Sequence, residues 1–139
     1  MARIAQMLAL IACALPSLPA SAWEGDGHRI VCAIAWDELD PPAQDQVKRL
    51  LGVDGRAAFA ETCLWADQYR DEEGHRETHD WHVVYVPVYA KNVDVARDCA
   101  SYKSCAVAQI DRDVEALRDA SKPAPDRAVA LKFLSHFVG

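Results

Sequence analysis

The sequence predicts a mostly α-helical, single-domain protein with little β structure. Apolar residues recur at helical spacing in several segments, whereas only residues 81–89 are rich in the Val and Tyr that favour strands. That stretch contains Pro87, which is rare in central strands, so we expect a short extended segment there. A length of 139 residues suits one domain and leaves little room for a second.

The first 22 residues have the three parts of a secretory signal peptide. Arg3 supplies the positive charge, residues 4–15 are apolar, and an Ala-Ser-Ala triplet ending at Ala22 is a suitable cleavage site. We expect cleavage before Trp23, a mature domain of residues 23–139, and a secreted or periplasmic protein. An uncleaved anchor or a buried helix is the alternative. No other stretch is long and apolar enough to cross a bilayer.

The remaining chain divides into helices separated by turn-forming residues. Asp40-Pro41-Pro42 should end the first helix, Gly52 should end the second, and Asp126 is a suitable N-cap for the last. The helices are predicted at residues 28–39, 43–51, 57–69, 105–120 and 127–139. Loops are predicted at residues 70–80, 91–103 and 121–125. The last helix is still building an apolar face at Gly139, so we expect the sequence to be truncated there.

Four cysteines remain after the predicted cleavage, because Cys13 would leave with the signal. An even number in an exported protein suggests disulfides. Cys99 and Cys105 are close together and flank a polar loop, so they are the first pair that we predict. Cys32 and Cys63 could also pair, or could remain buried thiols, because each lies in a helical pattern.

The net charge restricts how a phosphate-bearing partner could bind. The formal charge is −6, and loss of Arg3 with the signal, which contains no acidic residue, would take it to −7. Proteins that bind nucleic acid through their own surface charge are usually basic. Such a partner would therefore need local positive charge, for which a bound metal ion is the obvious source.

Side chains that zinc accepts occur in four separate segments, as His28, Asp67, His82 and His136. Spacing alone does not separate a ligand from a buried structural histidine. Cleavage would add a free amino terminus at Trp23, whose amine nitrogen and carbonyl oxygen can chelate a metal together. A tryptophan that only anchors the new terminus in the core is the alternative.

Two further features have both a structural and a chemical interpretation. His75 and His79 have the spacing of a metal pair on a helix, but their surroundings are polar, so we interpret them as loop residues. Arg70 follows Asp67 by three residues and is either a surface charge or a phosphate contact beside the metals. Spacing alone favours the surface.

Four motifs in this order resemble the secreted trinuclear-zinc nucleases of the S-one/P-one type. The resemblance covers the whole mature chain but only roughly the N-terminal half of such an enzyme. It implies a truncated multi-helix domain of the phospholipase C/nuclease kind. The motifs are the Trp23-x4-His28 start, Trp65-Ala66-Asp67 with Arg70, the segment that begins Trp81-His82, and Leu131 to Gly139 with His136.

The resemblance assigns the metal ligands. It implies that Trp23 and His28 hold one zinc ion, and that Asp67, His82 and His136 hold a second. The family has three zinc ions, so this chain would carry two partial sites. The acid that bridges the first two ions in the family, and the ligands of the third, would follow the last residue given.

The resemblance also implies other roles. Arg70 would act catalytically by contacting phosphate near the metals, and Cys99 and Cys105 would form a short-range disulfide. The family has an aromatic residue that clamps a base directly after the histidine matched by His82. Here that position is Val83, so the base pocket and the substrate preference are expected to differ.

The implied activity is hydrolysis of phosphodiester bonds in single-stranded DNA and RNA to 5′-phosphate products, with 3′-nucleotidase activity. The expected partners are single-stranded DNA, RNA and nucleotides, and the expected protein is a zinc-dependent, secreted monomer without membrane contact after signal cleavage. For the 139-residue chain on its own we expect incomplete zinc binding and little or no nuclease activity.

Two alternatives remain open. Zinc-dependent phospholipase C has the same fold and also begins with a ligand tryptophan, but its next ligand histidine lies much further along the chain. The short gap between Trp23 and His28 therefore favours the nuclease. A non-catalytic secreted helical domain would bind no zinc and would tolerate Asp67→Ala.

Overall fold

The computed structural model describes residues 25–99 and 105–139, and these ranges contain helices and no strand. The predicted mostly α fold is confirmed. The predicted signal peptide and Trp23 lie outside the described residues. The helices are α1 (Gly25–Glu38), α2 (Pro41–Leu51), α3 (Arg56–Thr62), α4 (Trp65–Asp71), a 3₁₀ helix (Arg76–His82), α5 (Val95–Asp98), α6 (Ala106–Arg118) and α7 (Ala124–Val138). None of the described helices combines the length and the apolar character that a membrane span requires.

The ends of α2 follow from its own sequence. Asp40 is the N-cap, because its Oδ1 accepts the backbone N–H of Ala43 at 2.8 Å. The two prolines after Asp40 occupy the first turn, where their missing N–H groups have no helical partner to lose. At the other end Gly52 adopts a φ of 66° and donates its N–H to Lys48. The helix thus starts two residues before the predicted Ala43.

The single helix predicted at residues 57–69 is wrong, because a tight turn separates α3 from α4. In this turn Cys63 donates its N–H to Ala60 at 3.3 Å, and Leu64 donates to Glu61 at 3.2 Å. These bonds span three residues, as in a 3₁₀ turn, and so change the helix direction. The turn also directs the carbonyl of Cys63 towards α7, where it accepts a bond from His136.

Three segments that the sequence predicts to be loops contain helical residues in the structure. The loop predicted at 70–80 contains the end of α4 and the start of the 3₁₀ helix, and the loop predicted at 91–103 contains α5. The last helix begins at Ala124, so Asp126 is not its N-cap. Pro125 lies in the first turn of α7 and needs no N–H donor there, which lets the helix begin earlier than predicted.

The segment after the 3₁₀ helix is extended but unpaired in any sheet. Val83 has extended dihedral angles, and its carbonyl accepts the N–H of Ala106 at 3.0 Å. Tyr85 donates to the carbonyl of Asp98 at 3.4 Å. The expected extended character is present at Val83, whereas Trp81 and His82 belong to the 3₁₀ helix. Val88 and Tyr89 form a turn in which Ala90 donates its N–H to Pro87 at 2.8 Å.

The core lies between α1, α2 and α3. Its ring contact is between Trp36 and Phe59, with centroids 5.7 Å apart. The disulfide between Cys32 and Cys63, left open by the sequence, is formed and buried inside this core. The predicted disulfide between residues 99 and 105 is also formed, before the start of α6. The buried core residues are Cys32, Ala33, Trp36, Val47, Phe59, Ala60 and Cys63.

A second cluster of aromatic rings joins α4, the 3₁₀ helix and α7. Phe133 is 3% exposed and lies at its centre. Its ring centroid is 5.1 Å from that of Trp65, 5.8 Å from Tyr69 and 5.2 Å from Trp81. Phe137 stacks on Phe133 at 5.5 Å, one helical turn later. This packing fixes the three elements that carry Asp67, His82 and His136.

Candidate metal centre

Asp67 lies at the centre of the four predicted ligand side chains. Its Oδ2 is 3.8 Å from Nε2 of His28, and its Oδ1 is 3.7 Å from Nε2 of both His82 and His136. The fold therefore brings together side chains from α1, α4, the 3₁₀ helix and α7 that are up to 108 positions apart, from 28 to 136.

The three imidazole rings pack against one another. His28 stacks on His136 with centroids 4.1 Å apart, and His82 meets His136 edge-on at 5.0 Å. Phe137 covers the edge of His82 at 5.1 Å. His136 is 4% exposed and His28 is 9% exposed, so the rings have little freedom to move.

Backbone carbonyls fix which nitrogen of two rings carries the proton. Nδ1 of His136 lies 2.8 Å from the carbonyl oxygen of Cys63, and Nδ1 of His82 lies 2.7 Å from that of Thr78. A carbonyl oxygen only accepts, so each Nδ1 must donate a proton. The lone pair is then on Nε2, which faces Asp67. Metal-binding histidines have this arrangement, with the outer nitrogen held by a backbone or carboxylate acceptor.

Burial keeps these two rings neutral. The pKa of His136 is lowered to about 4, chiefly by burial and also by the neighbouring His28 and His82, against the opposing effects of the Cys63 carbonyl and Asp67. Burial also lowers the pKa of His82, with a contribution from Arg70. A neutral imidazole is the form that a metal ion requires.

The spacing and the donor set fit a metal ion. Ligand atoms of His28, Asp67 and His136 all lie within 4.8 Å of one another. Among the described residues Nε2 of His82 finds no hydrogen-bond partner although it is buried, which is costly unless another group occupies that direction. Tetrahedral zinc with bonds of about 2.0–2.2 Å would hold its ligands about 3.3–3.6 Å apart. The observed 3.7 Å from Asp67 to His82 and His136 is close to this range.

Arg70 and Gly25 complete the wall of the site. Arg70 lies one helical turn after Asp67, and its Nη1 is 2.9 Å from Asp67 Oδ1. Both residues line a cavity of about 620 Å³ together with the histidines. Gly25 lines the same cavity at the start of α1, so the chain enters the site two residues after Trp23. The ligand role of Trp23 stays a prediction.

The other two histidines lie outside this group. His75 stacks on Tyr69 with centroids 3.8 Å apart. His79 lies in the 3₁₀ helix rather than a loop, with a half-exposed side chain whose Nε2 is 3.7 Å from Asp71. Neither contributes to the His/Asp group around Asp67.

Sequence reasoning missed the groups that orient the ligands. The carbonyls of Cys63 and Thr78 have no side-chain signature, so residue types cannot reveal them. Phe137 also lines the cavity and covers the edge of His82, a role that its residue type alone does not indicate. The only signal in the sequence is that Phe137 directly follows His136 in the same motif.

Comparison with known proteins identifies the family. A sequence model described as S1/P1 nuclease matches residues 23–139, most of the chain. The chain belongs to the S1/P1 nuclease family. Nuclease P1 of Penicillium citrinum is 30% identical over 120 residues, which cover 84% of this chain and 44% of that protein. Endonuclease 4 of Arabidopsis thaliana is 30% identical over 126 residues, or 84% and 42% of the two chains. The chain thus spans less than half the length of these relatives.

Proposed function

We propose that the protein is a secreted zinc-dependent nuclease. It would hydrolyse phosphodiester bonds of single-stranded DNA and RNA to 5′-phosphate products, and would also act as a 3′-nucleotidase. The observation that carries this proposal is the convergence of three imidazoles on Asp67, with Nε2 of each directed at a carboxylate oxygen. Membership of the S1/P1 nuclease family supports the same activity.

The geometry around Asp67 supports a division of the ligands into two sets. Oδ1 faces His82 and His136, which suits a zinc ion held by these three residues. Oδ2 faces His28, whose partner in a second site would be the amine and carbonyl of Trp23. The family match begins at residue 23, which supports Trp23 as the mature terminus. Bound zinc supplies a Lewis acid and lowers the pKa of water towards neutrality.

The protein residues bind and orient the phosphate. Arg70 presents a planar guanidinium at the cavity wall, a group that binds phosphate oxygens through paired hydrogen bonds. Its position beside Asp67 would stabilise negative charge that develops on the phosphoryl group. The acidic protein would therefore attract phosphate only at this site, through Arg70 and the metal ions.

We also propose that this protein selects bases differently from relatives that have an aromatic residue at the position of Val83. Val83 follows His82 and is 38% exposed. It offers apolar contact but no ring on which a base can stack, and base stacking contributes about 1–3 kcal/mol per base in single-strand binding. We therefore expect weak discrimination among bases by this position.

The test compares two histidines of the 3₁₀ helix in the full-length protein. His82→Asn should reduce zinc content and lower cleavage of single-stranded DNA by about a hundredfold or more, because a ligand is lost. His79→Asn is the matched control and should change neither, because His79 is half exposed and outside the site. Zinc is measured by atomic emission and cleavage by gel electrophoresis, with and without chelator.

Three outcomes would reject or redirect the proposal. Equal activity of the two variants would show that His82 is not a ligand. Hydrolysis of phosphatidylcholine without cleavage of DNA or RNA would favour the phospholipase C alternative. No bound zinc in the unmodified protein would favour a non-catalytic helical domain. The 139-residue chain alone is expected to bind less zinc than the full-length protein and to show little or no cleavage.

A further inference from the structure

A second cavity of about 560 Å³ lies away from the metal centre, between the 3₁₀ helix, α6 and α7. It shares no lining residue with the cavity around Asp67. We call it the acidic groove, because five of its lining side chains are carboxylates and two, Arg112 and Lys122, are cationic. Its carboxylates are Glu77, Asp113, Glu115, Asp119 and Asp126.

Asp113 distinguishes this groove from an ordinary acidic surface. The residue is 4% exposed, although it lines the groove. Its Oδ1 accepts a hydrogen bond from Nε2 of Gln109 at 2.8 Å, and Gln109 in turn accepts from Arg112. Within the described part of the chain, Oδ2 is buried and has no hydrogen-bond partner. Burial raises the pKa of Asp113 to about 7, against the effects of Gln109 and Arg112.

An unpartnered buried carboxylate oxygen calls for a donor beyond those that the described residues supply, since burying it unpaired is costly. The surplus of carboxylates selects a cation and disfavours nucleic acid. A bound metal ion is a poor fit. Among the described residues, the only three-ligand group with atoms within 4.8 Å is that of His28, Asp67 and His136, so the groove carboxylates do not converge.

We propose that the acidic groove binds a linear organic polycation of the polyamine class, with one ammonium group donating to Oδ2 of Asp113. An ammonium at the end of a narrow alkyl chain can reach a shielded oxygen, whereas a hydrated divalent ion is wider and must first lose water. The remaining ammonium groups would face the exposed carboxylates of Glu115 and Asp126. The alkyl chain would contact the apolar wall formed by Trp81 and Phe133.

Titration calorimetry of the full chain with spermidine at low ionic strength tests this proposal. We expect saturable binding that Asp113→Asn weakens about ten- to a hundredfold, as for loss of a charge-assisted hydrogen bond. Asp54→Asn makes the same charge change at an exposed position outside the groove and should leave the affinity unchanged. Circular dichroism verifies that each variant is folded.

If Asp113→Asn does not fold, a variant of two exposed carboxylates of the groove provides a second test. Glu115→Gln combined with Asp126→Asn leaves the buried carboxylate intact and should weaken spermidine binding severalfold, with a reduced salt dependence. The proposal is overturned if spermidine does not bind at millimolar concentration, or if the folded Asp113→Asn chain binds it as tightly as the unmodified chain. Binding of magnesium or calcium ions in place of spermidine would likewise reject it.

Discussion

Asp113 shows how a single buried carboxyl group can set the pH dependence of stability. Its ordinary pKa of 3.8 is raised to about 7 in the folded chain, chiefly by burial. Between these values the folded chain retains a proton that the unfolded chain loses. Stability therefore falls as the pH rises from about 4 to about 7. The two pKa values correspond to a difference of roughly 4 kcal/mol.

We predict that Asp113→Asn stabilises the chain at pH 8 by up to a few kcal/mol and has little effect at pH 4. The other charged groups that line the groove with Asp113 come from every element around it: Glu77 on the 3₁₀ helix, Arg112 and Glu115 on α6, Asp119 and Lys122 in the turn after it, and Asp126 on α7. Urea unfolding across this pH range, without polyamine, provides the measurement.

Asp111→Asn is the matched control for this prediction. Asp111 lies on the same helix and is exposed, so its replacement should shift stability almost equally at both pH values. Parallel curves for Asp113→Asn and Asp111→Asn would show that Asp113 has no special titration.

For the candidate metal centre, the sequence predicts the types of the ligand residues but not how their side chains are oriented. The residue types of His28, Asp67, His82 and His136 are those that zinc accepts, and this is readable without a structure. The orientation of these side chains cannot be read from the sequence. It depends on the backbone carbonyl of Cys63, which is available to His136 only because the chain turns there.

At the element scale, the disulfide between Cys32 and Cys63 ties α1 to the turn between α3 and α4. We predict that removing it by a double Cys→Ala change destabilises the chain by about 3–4 kcal/mol, from the loop entropy of a separation of 31 residues. Zinc affinity should also fall. Cys32 lies one turn after His28, and Cys63 supplies the carbonyl that orients His136.

The disulfide between Cys99 and Cys105 is the internal control. It closes a separation of 6 residues, so its removal should cost only about 2 kcal/mol. It contacts none of the proposed ligands in the described hydrogen bonds, so zinc affinity should be unchanged. Equal loss of zinc from the two double variants, measured by competition with a chromogenic chelator, would contradict this assignment.

Local signals predicted some elements well and others poorly. The ends of α2 were predictable because Asp40, the prolines and Gly52 act on neighbouring residues. The break between α3 and α4 was not, because residues 57–69 have continuous helical periodicity. The turn is stabilised by distant partners, the disulfide to Cys32 and the bond from His136, which local patterns do not contain.

At the scale of the whole molecule, the candidate metal centre forms where the two ends of the described chain meet. α1 contributes His28, and α7 contributes His136. Periodicity could predict each helix but not their contact, since no local rule connects positions so far apart. The family resemblance implies that the two histidines belong to two linked zinc sites, and in the structure their rings stack with centroids 4.1 Å apart.

The proposed role of Trp23 as a ligand and as the mature N-terminus yields a prediction about processing. Gly25, two positions after Trp23 in the sequence, lines the cavity that the three histidines share with Asp67. A single Ala inserted between the signal and Trp23 would convert the amine of Trp23 into an amide, which cannot bind zinc in the same way. We expect zinc affinity to fall about tenfold or more.

Ala inserted after Asp54, in the turn before α3, is the control and should leave zinc binding intact. Mass spectrometry verifies the cleavage position, and unchanged zinc affinity in a chain verified to start with the added Ala would remove Trp23 from the ligand set.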